Sequence, residues 1–173
     1  MANRFLFAAF LTLVTFVGAR PPVMASEKAN LVLLEEFFLG KTSGRGYFKS
    51  WVAGVHRPFS VKTHGTMRGN TLTLVEDFVY DDGERDRKTW YFTRTGHNTF
   101  EGTREDVVGK AKIKIFEDKI TLKYLVDIPN NGKKTRVRFS DILSRQDDGT
   151  IRNVANVYKF GIKIGRVDLT FKR

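Results

Sequence analysis

Two acids sit where apolar residues are expected. In Leu72-Thr-Leu-Val-Glu76-Asp-Phe-Val-Tyr80, Glu76 shares the alternation of Leu72, Leu74, Phe78 and Tyr80. Asp141 follows Val137 and Phe139 in the same way. Alternate residues of a strand face one side, so a strand that buries these apolar side chains buries both acids. A carboxylate leaving water needs a partner or a proton. Arg85, Arg87 and Arg138 are cations at hand. One chemistry is an interior polar site that orients a ligand headgroup. It would use Glu76, Arg87, Arg138 and Asp141, with Phe78, Tyr80, Trp90 and Phe139 as aromatic lining. The other is an ion pair that fixes strand register and binds nothing. A third reading makes Glu76 an acid or base with Arg87 beside it, but no second catalytic group lies at a required spacing. A bulge would flip the parity and expose Glu76.

Other chemistries lack their residues. His56, His64 and His97 have no zinc-type spacing, and no HExxH occurs, so no metal site is expected. Asp81-Asp82-Gly83-Glu84 and Asp147-Asp148-Gly149 do not match the twelve-residue calcium loop, and Asp-Gly is explained by a hairpin tip. Ser60 and His64 share parity but stand about 13 Å apart along a strand, too far to hydrogen bond. Gly44 and Gly46 form a lone GxG, not a phosphate loop. The chain has no cysteine, which excludes disulfides, thiolate catalysis, Cys-ligated zinc and iron–sulfur clusters. No cofactor is expected.

The elements that must position these residues are strands. Turn signals recur at Gly44-Arg45-Gly46, Arg68-Gly69-Asn70, Asp81-Asp82-Gly83, Thr95 to Asn98, Glu117-Asp118, Pro129 to Gly132, and Asp147-Asp148-Gly149. Between them the apolar residues alternate, as in Ile120, Leu122, Tyr124 and Val126, or Val167, Leu169 and Phe171. Period-two runs divided by Asp-Gly and Asn-Gly mark hairpins. The pattern predicts about nine or ten strands, near 45–54, 57–67, 71–80, 86–95, 98–104, 109–116, 119–127, 134–144, 150–159 and 162–172. The helical candidate is Lys28 to Leu39. Without long helices between strands, parallel β-α-β topology is disfavoured. Short connections favour antiparallel neighbours, and a long one-sided sheet curls until its edges meet. The expected fold is all-β, an antiparallel up-and-down β-barrel over 26–173, with a two-sheet β-sandwich as the alternative.

Residues 1–25 read as a cleaved secretory signal. Arg4 precedes the uncharged apolar run Phe5 to Val17, and Val23-Met24-Ala25 offers a cleavage site before Ser26. The run falls short of the ~20 residues that span a bilayer. The expectation is an exported, periplasmic, soluble protein. The 173 residues carry 30 Lys+Arg against 19 Asp+Glu, a net charge of +11, and losing Arg4 and Arg20 with the signal leaves +9. Lys110, Lys112, Lys114, Lys119, Lys133, Lys134, Arg136 and Arg138 would make a basic outer face. After export its anionic partner would be a membrane surface rather than nucleic acid; the alternative is a solvated face. Fifteen Phe and two Trp can line a cavity or fill it. Three functions stand open: a barrel that binds an acyl chain, phospholipid or other small amphiphile, a packed structural or interaction protein, and a lipid-modifying enzyme or accessory factor. The sequence sets no oligomeric state.

Several runs together resemble a known family. They are Leu34 to Gly40, Gly65-Thr66-Met67-Arg68-Gly69-Asn70, Glu76-Asp77-Phe78-Val79-Tyr80-Asp81-Asp82-Gly83-Glu84, Arg87-Lys88-Thr89-Trp90, Asp106-Val107-Val108-Gly109, Arg136 to Phe139, and Lys159-Phe160-Gly161. They resemble the bacterial envelope family known as domain of unknown function 3833, over about residues 31–173. Members of that family are often lipoproteins, with barrels similar in outline to lipocalin-like folds. The resemblance therefore implies a lipid-linked envelope role. It carries no catalytic residue. This chain departs from the lipoprotein pattern, because without cysteine it cannot be acylated at a mature N-terminal cysteine.

Overall fold

The computed structural model describes residues 33–130 and 132–173. The signal segment 1–25, the first part of the helical candidate Lys28 to Leu39, and Asn131 of the expected 129–132 turn lie outside the described residues.

One helical turn, Leu33–Phe37, precedes ten strands. These are β1 (Gly40–Ser50), β2 (Val55–Arg68), β3 (Thr71–Tyr80), β4 (Arg85–Arg94), β5 (Thr99–Thr103), β6 (Val107–Ile115), β7 (Ile120–Asn130), β8 (Lys133–Arg145), β9 (Ile151–Lys159) and β10 (Ile162–Lys172). Each pairs antiparallel with its chain neighbours. β10 then closes on β1, with Gly44 opposite Phe171 and Gly46 opposite Leu169. The closed barrel decides against the sandwich. Closure leaves no edge strand, although the short β5 leaves residues 85–90 of β4 paired on one side only.

The expected strands are found with shifts of a few residues, largest at β1. This strand spans 40–50 rather than 45–54. Gly40, Gly44 and Gly46 hide its alternation, whereas Trp51 and Val52, which resemble strand residues, form the β1–β2 tip. Two bulges interrupt the register, between Val108 and Lys112 and between Lys163 and Gly165.

The inward stripes are mainly apolar, β1 excepted, where Thr42, Gly44 and Ser50 face inward. Leu72 and Leu74, Phe92, Phe100, Ile113 and Ile115, Ile120 and Leu122, Ile151, and Leu169 with Phe171 are all buried. They fill the barrel at the end where β1 begins and β10 ends. That end is plugged by Leu34, Phe37 and Phe38, also buried. Phe38 meets Phe171 edge-to-face at 5.1 Å. Glu35 pairs with Arg94 at the β4–β5 turn. Each buried plug side chain contributes on the order of 2 kcal/mol. The plug comes close because Gly65 has no side chain: Leu39 bridges Gly65 in parallel, and a Cβ there would overlap the Phe38 carbonyl.

The β9–β10 tip is unusual. Phe160 and Gly161 both adopt positive φ, 51° and 80°. This is the mirror-image turn that hairpins favour, and its first position suits Asn or Gly. A phenylalanine there carries a left-handed backbone penalty of about 1 kcal/mol. Phe160 is 94% exposed, so no burial offsets the strain. Phe160→Asn is expected to raise stability by about 1 kcal/mol, read as a higher Tm. An unchanged or lower Tm would show that the turn is not strained.

Candidate functional site

Above the packed end, the interior changes character. Glu76 on β3 and Asp141 on β8 both point inward and are 8% and 4% exposed. The hydroxyl of Tyr124 on β7 donates to Asp141 Oδ2 at 3.3 Å, and the Asn153 amide on β9 donates to the same oxygen at 3.4 Å. Asp141 Oδ1 and Asn153 Oδ1 are buried and accept nothing. No hydrogen bond reaches the Glu76 carboxyl among the described residues.

Arg104 supplies the positive charge. β5 is only five residues long, so the turn after it lies low in the wall. There the Arg104 guanidinium covers Trp90, 4.6 Å from the ring centroid, and approaches Tyr124 at 5.7 Å. Its fork closes on Asp106 at 2.6 and 3.2 Å. Lys88 shares the inward parity of Trp90 and reaches Asp86 at 3.3 Å and Glu105 and Asp106 at 3.5 Å. Among the described residues the two interior cations near the acids are thus already engaged.

Burial therefore acts on the two carboxyls with little relief. It pushes Glu76 up to about 7; the Arg104 charge opposes this, while Asp141, Glu105 and Asp106 add to it. It also pushes Asp141 up to about 7, against the Asn153 and Tyr124 hydrogen bonds and the Arg104 charge. Burial likewise drives the Tyr124 hydroxyl well above its usual range. Near neutral pH each acid can hold or release a proton. Each can then donate to a carbonyl or accept from a hydroxyl, amide or amine.

Toward the other rim the lining is aromatic and half-buried. Phe59 packs edge-to-face on Phe78 at 5.5 Å and on Tyr80 at 5.8 Å. Phe139 stacks on Tyr124 at 5.2 Å. Arg57 lies 3.7 Å over the Tyr80 ring and binds Asp82 at 2.8 Å, tying the β3–β4 tip across this lip. Two concavities open on the outer wall. One, about 720 Å³, is bordered by Lys62, Asp77, Phe78, Asp86 and Arg87. The other, about 320 Å³, is bordered by Leu125, Arg138, Tyr158 and Phe160.

The structure brings together part of the predicted set. Glu76 and Asp141 lie in one polar layer, with Trp90 packed beneath Arg104. Phe78, Tyr80 and Phe139 line the mouth. Arg87 and Arg138 need correction, because neither enters the barrel. Arg87 has the parity opposite to Trp90; it is exposed and bound to Asp77 at 2.6 Å. Arg138 is also outward, 4.9 Å over Tyr158. The interior cations are instead Arg104 and Lys88, which the sequence reading missed together with Asn153. Lys88 was accessible by parity with Trp90 and Phe92. Arg104 was not, because it lies beyond the end of a strand.

Among the described residues there is no cluster of His, Asp and Glu fit to hold a metal, and no helix long and apolar enough to cross a membrane. The predicted basic outer face is paired in part and keeps a positive excess. Lys110 and Lys112 bind Glu101, and Arg136 binds Asp127.

Solved structures resemble this chain at low identity. An S-type phycobiliprotein lyase, CPES from Guillardia theta, superposes with a TM-score of 0.60 at 6% identity, covering 88% of this chain and 96% of that one. A redesigned β-barrel, mFAP1 bound to DFHBI, gives 0.41 at 12% identity, covering 80% of this chain and 97% of its own. No curated protein matches the sequence. The family profile described as "Protein of unknown function (DUF3833)" matches residues 10–173, nearly the whole chain, and the protein belongs to that family.

Proposed function

We propose that this barrel is an exported carrier of a small amphiphile, held at the half-open aromatic mouth with its polar end on Glu76 and Asp141. One observation carries the reading: Asp141 Oδ1 is buried and unpartnered, in an interior layer it shares with the buried Glu76, whose carboxyl feels its charge. Leaving such groups unsatisfied costs about 1–3 kcal/mol each, which a ligand donor would recover. The half-buried Phe78, Tyr80 and Phe139 offer apolar surface above. A fold shared with a phycobiliprotein lyase is compatible with a barrel interior that meets a ligand.

The charges narrow the ligand class. Arg104 and Lys88 are already held by acids, so among the described residues a phosphate would find no free cation inside. An acyl chain ending in a hydroxyl, amide, ester or amine fits better than a phospholipid. Export rests on the N-terminal pattern, and a periplasmic, soluble form follows from it. The site is not proposed as catalytic, because Glu76 is enclosed rather than presented in a cleft.

Native mass spectrometry of protein from the exported fraction, with lipid extraction of the same sample, tests this. A stoichiometric acyl mass is expected, with occupancy falling several-fold in Asp141→Asn and Glu76→Gln while Tm does not fall. A protein that stays empty when offered monoacyl alcohols, amides and amines overturns the carrier. The second reading would then stand: a filled barrel working through its surface, favoured by the packed end and by concavities that open outward.

A further inference from the structure

Three hairpin tips stand side by side on the rim away from the plug. The strand order β2-β1-β10-β9-β8-β7 makes the β1–β2, β9–β10 and β7–β8 tips neighbours along one arc. The first two carry large apolar side chains in water. Trp51 is 51% exposed, Val52 68%, Phe160 94% and Ile162 68%. Around them stand Lys133, Lys134, Lys159 and Lys163. The Lys163 ammonium lies 5.6 Å from the Trp51 ring and the Lys159 ammonium 5.6 Å from the Phe160 ring. Residues 49–56, 128–134 and 158–167 contain no Asp or Glu. No carboxylate forms an ion pair with Lys133, Lys159 or Lys163 among the described residues. The other side of the same rim is acidic, with Asp81, Asp82 and Glu84 on one tip and Glu105 and Asp106 on the next.

We infer that this arc docks on an anionic lipid bilayer, with Trp51, Val52, Phe160 and Ile162 entering the interface and the lysines meeting the headgroups. The shape argues for lipid rather than protein. The apolar residues sit on separate projecting tips, which suit a soft interface, not on a flat or grooved face with a complementary partner. Tryptophan prefers the headgroup level, and lysines beside it keep their charge among the phosphates. Each lysine near an anionic surface adds attraction that falls off within a Debye length. The strained backbone at Phe160 fits as well: an exposed phenylalanine held where asparagine would rest more easily points to a use outside the fold. On the opposite rim the cations are already held, Arg57 by Asp82 and Glu84 and Arg104 by Asp106, so attraction is concentrated on this arc and the barrel would sit tilted. This surface differs from the basic strand face read from sequence, and the inference does not depend on the barrel holding a ligand.

Vesicle co-sedimentation and tryptophan emission test it, using phosphatidylcholine vesicles with and without phosphatidylglycerol. Trp90 is buried, so a change reports Trp51. Wild type should bind the anionic vesicles with a blue shift, and salt should weaken the binding. Phe160→Asn should bind about tenfold more weakly without any fall in Tm, which separates lost docking from lost folding. Lys159→Gln and Lys163→Gln should each weaken binding about fivefold. Glu76→Gln should bind vesicles like wild type, so this result and the carrier reading fail separately. No binding by wild type, or equal binding by Phe160→Asn, overturns the inference. So does a concentration-dependent dimer of wild type that Phe160→Asn abolishes, which would assign the arc to a second copy.

Discussion

Acidification from pH 8 to pH 5 should make this protein more stable, by about 3 kcal/mol or more. Glu76 and Asp141 titrate near 4.5 and 3.8 in an unfolded chain and near 7 in the barrel. Between those values the folded protein keeps protons that the unfolded chain releases. The stabilisation is therefore fully present below about pH 4, fades as pH rises through 7, and is gone above. The cause is desolvation, because a proton is the cheapest partner for a buried carboxylate with no free cation. Urea unfolding at pH 5, 6, 7 and 8 measures it. Asp141→Asn keeps an acceptor for Tyr124 and Asn153 but cannot ionise; it should gain about 2 kcal/mol at pH 8, little at pH 5, and flatten the slope. Stability that is flat or rises from pH 5 to pH 8 would show that the acids are paired or wet. A bound amine would also flatten the wild-type slope, since it replaces the missing cation.

Gly65→Val should be the most damaging single change in the wall, costing about 3 kcal/mol. The new side chain would meet the Phe38 carbonyl directly and Leu72 Cδ1 at about 3.3 Å. Backbone cannot step aside as a side-chain tip can, so the plug must lift. Phe37 and Phe38 then lose their buried contacts, and the Glu35 pair with Arg94 is broken. A fall in the urea midpoint, with a small change for Thr66→Val on the same strand, is the expected result. A Gly65→Val protein as stable as wild type would mean that the plug is not part of the cooperative core.

What the sequence made legible follows from the period of a strand. The inward parity of Glu76 with Leu74 and Phe78, and of Asp141 with Phe139, is correct because both strands run unbroken through those residues. Arg87 and Arg138 were candidates by charge alone; parity with Trp90 and Phe139 already placed them outside. Arg104 was out of reach, because it lies beyond β5 and its direction depends on how low that short hairpin sits in the wall. The misplaced start of β1 has a similar origin: glycines let β10 approach closely but leave no alternation to read. Of the three rim tips only 129–132 reads as a turn signal; 51–54 falls inside an expected strand and 160–161 in the gap between two, and the adjacency of all three comes from closure.

Closure also sets a schedule. Ser43 pairs with Lys172, so the first strand finds its second partner only when synthesis has passed residue 172. Until then β1 and whichever strand was made last present open edges, and the acids at positions 76 and 141 lie in water, ionised and comfortable. The final pairing is a contact of very long sequence separation, the kind that folds slowly. A nascent chain of this protein should therefore spend its vulnerable period as an open meander, and residues 162–172 are the latch that ends it.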